Sequence, residues 1–236
     1  MKVCVINFSG NVGKSIVAGQ LLQPRLQAPV ISVESLNMDA GLDGVKVEEI
    51  PARQFQLMQE RLALMRHAIV DVGASNVEDF LRTLSRVAGA YEDFDLWIVP
   101  AMRSRKQQMD TVNTLRALHR MGVPASKVRV VFNGIETDES VHEVFGGLCA
   151  LSGEFFELKE RAVLYYNEVF DRIKGTGESL ATVLADPRDI KAEILQSTDE
   201  EERLQLARRL ATKRLATSAN RNLDEAFAAI TELRAA

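Results

Sequence analysis

Short apolar runs rich in β-branched residues alternate along the chain with longer segments of helical spacing. The apolar runs predict buried strands at residues 2–7, 29–33, 67–72, 94–99 and 128–132, with a weaker sixth run at 162–166. Helical spacing begins near Lys14, Arg53, Val77, Arg105 and Asp138. Because strands and helices alternate, the pattern predicts an α/β fold in which a mostly parallel sheet carries helices on both faces.

The last part of the chain has a different pattern. After Glu168 no run predicts a strand, Pro187 interrupts the helical spacing, and residues 199–236 have helical spacing throughout. We therefore expect one α/β domain in residues 1–195 and a helical C-terminal extension in residues 196–236 that packs on the same domain.

Composition narrows the class of protein. The chain has 236 residues, of which 46% are hydrophobic and 26% charged, and its net charge is -4, as in an ordinary globular protein rather than one covered with basic charge. No apolar stretch approaches the roughly 18 residues of a membrane-spanning helix, so we expect a cytoplasmic protein with no transmembrane segment. Cys4 and Cys149 are expected to be reduced, buried thiols.

The strongest chemical signal is a loop that follows the first predicted strand and opens the first helix. It has the sequence Asn7-Phe8-Ser9-Gly10-Asn11-Val12-Gly13-Lys14-Ser15. In such loops backbone N–H groups bind phosphates, a lysine reaches the β and γ oxygens, and a hydroxyl ligates Mg²⁺. We expect the following residues to bind a nucleotide: Gly10, Asn11, Val12, Gly13, Lys14, Ser15 and Ile16. The alternative is a tight turn without a ligand.

Residues 9–15 resemble the deviant Walker A loop of the ParA/MinD ATPases, which segregate plasmids and position division sites. The resemblance covers roughly residues 1–135, and the first fourteen residues are most similar to the StbB plasmid-stability branch. It implies a P-loop NTPase fold, ATP and Mg²⁺ as cofactors, and a nucleotide-dependent homodimer. Two positions depart from the pattern, because Ser9 replaces the signature lysine that reaches the partner's phosphates and Asn11 replaces a glycine.

Two carboxylates are implied in catalysis by the same resemblance. Asp71 ends an apolar run and resembles the Walker B acid, which with Ser15 would hold Mg²⁺; the alternative is a cap of the next helix. Glu34 stands near the acid that orients the attacking water, with Asp39 in reserve, although Glu34 also fits a simple loop acid. The predicted catalytic residues are therefore Lys14, Glu34 and Asp71.

Asn133 ends another predicted strand and resembles the asparagine that contacts adenine in ParA-type proteins. The same segment looks like a damaged guanine-reading Asn-Lys-x-Asp motif, with Gly134 and Glu136 at the lysine and aspartate positions. An Asn-Gly pair alone usually marks a turn. We expect contact with the base, and ATP rather than GTP.

Two groups of basic residues are candidates for further contacts. Arg103 and Arg105 follow the fourth long apolar run and would supply the cation missing at Ser9, unless they are a solvated helix start. In the C-terminal helix, four acids at 199–202 are followed by Arg203, Arg208, Arg209, Lys213, Arg214 and Arg221. We expect this basic helix to contact DNA or a DNA-binding adaptor protein, the alternative being a plain solvated face.

The sequence and the resemblance together predict a ParA/MinD-like nucleotide-switch ATPase that acts in plasmid stability or partition and hydrolyses ATP slowly with Mg²⁺. The alternative is a non-hydrolysing nucleotide-binding adaptor for DNA, a DNA-binding partner or a membrane site.

Overall fold

The computed structural model describes residues 1–33, 47–49 and 55–232. Within these residues, strands form a seven-stranded sheet in the order β3-β2-β4-β1-β5-β6-β7, and each pairing is parallel. The strands are β1 (Lys2–Val5), β2 (Val30–Val33), β3 (Val47–Glu49), β4 (Ala68–Val72), β5 (Leu96–Met102), β6 (Val128–Ile135) and β7 (Val163–Tyr165). The predicted α/β fold with a parallel sheet is confirmed, and six of its strands lie where apolar runs predicted them.

The sheet differs from the prediction at one edge and in two strand lengths. The edge strand β3 was not predicted, because three residues are too few to give a periodic signal. β5 continues to Met102 and β6 to Ile135, several residues beyond the apolar runs that predicted them. Both extensions lie at the carboxyl edge of the sheet, where ligands of open α/β folds bind.

The first helical segment is not a regular α-helix. It begins as α1 (Lys14–Ile16), continues through a π-helical stretch (Val17–Leu22) and ends as α2 (Gln23–Leu26). The other helices are α3 (Phe55–Leu64), α4 (Val77–Leu84), α5 (Arg105–Arg120), α6 (Val141–Cys149), α7 (Val169–Ile173), α8 (Leu180–Leu184), α9 (Ile190–Gln196) and α10 (Glu200–Thr231). The helix expected near Asp138 begins three residues later, because Ser140 and Glu143 form a capping box that fixes its start.

Successive side chains of each strand pack against opposite layers of helices. In β1, Val3 and Val5 belong to the core beneath the first helical segment and α10, whereas Cys4, and Ile6 just after the strand, belong to the core beneath α3 to α6. Trp97 is fully buried in the second of these cores, as expected from its place in an apolar run. Helices on both faces explain why the central strands are hydrophobic at nearly every position.

The long helix α10 lies on the same face of the sheet as the first helical segment. The residues of α10 that pack into this core are mostly alanine, which lets the helix approach the sheet closely: Ala216, Ala219, Leu223, Ala226, Ala229 and Ile230. Arg25 of α2 links the first helical segment to α10, because its guanidinium donates to the Asp224 carboxylate at 2.9 Å and to the Asn220 carbonyl at 3.2 Å. None of the helices in the described ranges is both long and apolar enough to span a bilayer.

Candidate functional site

The candidate site is the loop that joins β1 to α1. Two of its residues have left-handed backbone conformations, Asn11 with φ 56° and Gly13 with φ 87°. A Cβ atom on Gly13 would overlap the side-chain amide of Asn133 and lie 3.3 Å from its Cγ. Glycine is therefore required at position 13 both by the backbone angle and by the side chain packed against it. At Gly10, by contrast, an added Cβ would meet no atom within 4 Å.

Side chains from three elements bind the carbonyl groups of this loop. Lys14 Nζ donates to the Ser9 carbonyl at 2.9 Å. Gln107 Nε2, on α5, donates to the Gly10 and Asn11 carbonyls at 3.2 and 3.4 Å. Asn133 Nδ2, on β6, donates to the Val12 carbonyl at 3.2 Å. Four consecutive carbonyl groups thus have side-chain donors.

The backbone N–H groups of residues 10–13 differ from these carbonyl groups. Within the described part of the chain, no protein atom accepts a hydrogen bond from the N–H groups of residues 10–13. Successive N–H groups left without acceptors in a loop with left-handed residues form an anion-binding concavity. The arrangement is chemically suited to a ligand with several anionic oxygens.

Lys14 and Ser15 stand at the start of the helical segment that follows the loop. The Lys14 side chain turns back over the loop, where its ammonium group also lies 3.4 Å from the Asn7 carbonyl, and only 9% of the residue is exposed. Ser15 is exposed and Ile16 is half-buried. A cation and an exposed hydroxyl therefore lie next to the loop N–H groups.

Asp71 lies beside the strand that leads into the loop. In the parallel register it is opposite Val5 of β1 on one side and Ser32 of β2 on the other, and it is buried. Burial raises the pKa of the Cys4 thiol well above its ordinary value, and the nearby Asp71 carboxylate raises this pKa further. The structure thus brings Asp71 to the β1 end from which the loop starts.

The donor set fits Mg²⁺ bound together with phosphate. In the portion of the chain that the structure describes, no group of three His, Cys, Asp or Glu side chains could hold a metal by itself. Mg²⁺ does not need such a group, because it keeps several waters and takes one or two carboxylates plus substrate phosphate oxygens. Asp71 supplies a carboxylate, and Ser15 supplies a hydroxyl oxygen. Glu34 and Asp39, the acids expected to orient water, lie outside the described residues.

Asn133 lies within β6 rather than in a turn between elements. The pairing of β6 with β7 shifts register between Asn133 and Ile135, and the intervening Gly134 has φ 72°. This irregularity accompanies the contact of the Asn133 amide with the loop at Val12. Sequence reasoning expected Asn133 beside a base and did not foresee its contact with the β1–α1 loop.

The candidate arginines differ in their surroundings. Arg103 forms a two-pronged ion pair with Glu139, with nitrogen–oxygen distances of 2.8 and 3.3 Å. The pKa of Glu139 is lowered, first by the backbone N–H of Glu136 and then by Arg103. Arg105, the first residue of α5, is exposed. Arg103 therefore has a carboxylate partner at this sheet edge, whereas Arg105 forms no ion pair with any residue that the structure describes.

The basic residues of α10 divide into two groups. Arg209 binds Glu178 at 2.7 Å and Asp186 at 3.1 Å, and Lys213 Nζ donates to the Asp186 carbonyl. These two cations help to fasten α10 to the domain. The exposed cations of the helix are Arg203, Arg208, Arg214 and Arg221.

Comparison with known proteins identifies the fold. No family model and no curated sequence matches the chain. Among solved structures, the MinD cell division protein of Aquifex aeolicus matches with a TM-score of 0.50 and 13% identity over 89% of this chain and 96% of that chain. The cell division ATPase MinD of Pyrococcus furiosus matches with a TM-score of 0.50 and 12% identity over 89% of this chain and 98% of that one.

A third solved structure, the ParA of pNOB8, matches with a TM-score of 0.48 and 12% identity over 95% of this chain and 97% of that one. The fold assignment rests on the two MinD structures. The chain has the P-loop NTPase fold that these proteins share. In this chain the fold includes the long C-terminal helix α10. At such identities the likeness is one of fold.

Proposed function

We propose that this chain is a nucleotide-switch ATPase that binds ATP and Mg²⁺ at the β1–α1 loop, hydrolyses ATP slowly, and acts in plasmid stability or partition. The observation that supports this most is the shape of the loop. Its carbonyls are bound by side chains, its N–H groups have no protein acceptor among the described residues, and Lys14 lies over it. A phosphate chain supplies the acceptors that these groups lack.

Each residue has a separate role in this proposal. Lys14 neutralises charge on the β and γ phosphates, and the N–H groups of residues 10–13 bind phosphate oxygens. Ser15 and Asp71 hold Mg²⁺, which would stabilise charge that develops on the phosphate oxygens. Glu34 orients the attacking water, and Asn133, which touches the loop, contacts the adenine. Catalysis of this kind is mostly positioning and electrostatic stabilisation.

The biological setting is inferred from the resemblance of the loop and from the fold. One matching structure is a MinC:MinD cell division protein complex of Aquifex aeolicus, with a TM-score of 0.50 and 13% identity. By analogy, this chain forms a nucleotide-dependent homodimer in the cytoplasm and binds an adaptor protein or DNA. The exposed arginines of α10 are the proposed contact surface for this partner. They lie in the proposed C-terminal extension, residues 196–236, which follows the NTPase domain of residues 1–195.

Phosphate release from ATP tests the proposed activity. The wild-type protein should release phosphate slowly, and removal of Mg²⁺ with a chelator should stop release. Asp71→Ala should lower release to the level of the chelated wild type, whereas Asp79→Ala, which removes an exposed acid of α4, should leave release unchanged. Release that is indifferent to both Mg²⁺ and Asp71 would refute the assignment.

A second candidate function is a nucleotide-binding adaptor that does not hydrolyse ATP. It is favoured by Ser9, which stands where related loops carry a lysine, and by the pairing of Arg103 with Glu139. A transferring phosphate that lacks a second cation loses a contribution on the order of 10³ to 10⁵ in rate. ATP-dependent dimerisation without phosphate release, with and without added DNA, would favour this candidate.

A further inference from the structure

Helix α5 presents a stripe of three polar residues to the candidate site. Gln107, Thr111 and Thr114 are spaced four and three residues apart, which places them on one face of the helix. Both threonines are fully buried. We call these three residues the α5 stripe. A buried polar face is unusual for a helix that packs on a sheet, so its hydrogen bonds need an explanation.

Asn7, at the beginning of the loop, is the main partner of the α5 stripe. Its Nδ2 donates to the Pro100 carbonyl at 2.8 Å and to Thr111 Oγ1 at 2.9 Å, and its Oδ1 accepts from the Ser9 N–H at 2.8 Å. A carbonyl can only accept and a backbone N–H can only donate, so the orientation of this amide is fixed by its partners. Asn7 is fully buried.

The threonine hydroxyls act as acceptors toward the loop. Thr111 and Thr114 each donate to the carbonyl one turn earlier in α5, at 2.8 Å in both cases. A hydroxyl has a single proton, so its lone pairs face the remaining partners. Thr111 accepts from Asn7, and Thr114 accepts from the Phe8 N–H at 3.1 Å.

These contacts extend to the ammonium group of Lys14. Asn7 fixes the N–H of Ser9, and the carbonyl of Ser9 accepts from Lys14 Nζ. We infer that the α5 stripe consists of positioning residues that act through Asn7 and the loop carbonyls to place the Lys14 ammonium group where it binds phosphate. This inference rests on the proposed function, because it assigns a role in nucleotide binding.

The first test removes the two hydroxyls and keeps the side-chain shape. In Thr111→Val/Thr114→Val, loss of two hydrogen bonds to the loop should weaken ATP binding about tenfold, measured by titration calorimetry on a folded protein. Thr83→Val is the matched control, because the Thr83 hydroxyl also donates to a carbonyl one turn earlier, at 2.8 Å, but lies on the exposed side of α4. It should bind ATP as the wild type does.

A second variant covers the case in which the paired threonine variant fails to fold. Gln107→Met removes the donor to the loop carbonyls from a half-buried position and should weaken ATP binding about fivefold. Its control is Gln108→Met, since the neighbouring Gln108 donates to the Arg103 and Val144 carbonyls instead. This control should retain wild-type ATP affinity.

Combination with Lys14→Ala separates positioning from a general structural role. If the stripe acts through the placement of Lys14, the threonine substitutions should weaken ATP binding by no more than about twofold once the lysine is absent. The same tenfold effect in both backgrounds would overturn the inference, as would wild-type affinity in the folded threonine and glutamine variants. If the wild type itself did not bind ATP, the proposed function would fail and the inference with it.

Discussion

Substitution of Gly13 by alanine is a demanding test of the loop geometry. The backbone angle of 87° lies in the left-handed region, where a Cβ atom costs about 1–2 kcal/mol. The new Cβ would also displace the Asn133 amide, whose lost hydrogen bond to the Val12 carbonyl is worth about 1 kcal/mol. We therefore expect the free energy of unfolding to fall by about 2–3 kcal/mol in urea titrations and ATP affinity to fall about tenfold.

Two further variants divide this effect into its parts. Gly10→Ala should change stability by less than about 0.5 kcal/mol, because an added Cβ there meets no atom within 4 Å. In an Asn133→Ala background the overlap is gone, so Gly13→Ala should cost only the backbone term of about 1–2 kcal/mol. A Gly13→Ala protein with wild-type stability and ATP affinity would refute the geometry of the loop.

Three other predictions concern charged residues. Glu157→Ala should lower the free energy of unfolding by about 3–5 kcal/mol in urea titrations, because Arg129 is 1% exposed and loses its carboxylate partner. Glu168→Ala, which breaks the exposed pair with Arg172, should lower it by less than about 1 kcal/mol, and equal effects of the two substitutions would contradict this prediction. Hydrogen bonds from Arg188 and then Arg209 lower the pKa of Asp186, so its charged form contributes stability that is lost as pH falls below about 4. Between about pH 6 and pH 3, the unfolding free energy of Asp186→Asn should therefore fall less than that of the wild type. Parallel plots of unfolding free energy against pH for the two proteins would argue against the pairing of Asp186 with the arginines. Arg105→Ala should slow phosphate release at least about tenfold with unchanged ATP binding, and undiminished release would exclude this arginine.

Much of the fold follows from local sequence patterns. Apolar runs of five or more residues predicted the buried strands, because a parallel sheet covered on both faces needs hydrophobic residues at nearly every position. The same patterns could not predict β3, a three-residue edge strand, or the π-helical stretch at Val17–Leu22, whose residues fit an ordinary helix equally well. Such details depend on tertiary packing.

The candidate site was predictable where its residues are adjacent in sequence. Residues 10–15 are consecutive in the loop and the start of α1, so spacing and residue type were enough to single them out, and the apolar run before Asp71 indicated its neighbouring strand. The contacts of Gln107 and Asn133 with the loop join residues about 100 apart, and no local pattern encodes them. Polar residues with helical spacing in α5 were visible, but their partners were not.

The measurement that tests the central claim most directly is ATP binding by Lys14→Ala. Removal of the ammonium group that lies over the loop should weaken ATP binding roughly ten- to a hundredfold, as expected for a charge-assisted contact, while circular dichroism remains that of the wild type. Lys174→Ala, which removes an exposed lysine after α7, is the matched control and should bind ATP normally. Unchanged ATP affinity in a folded Lys14→Ala protein would contradict the assignment of this loop as a phosphate site.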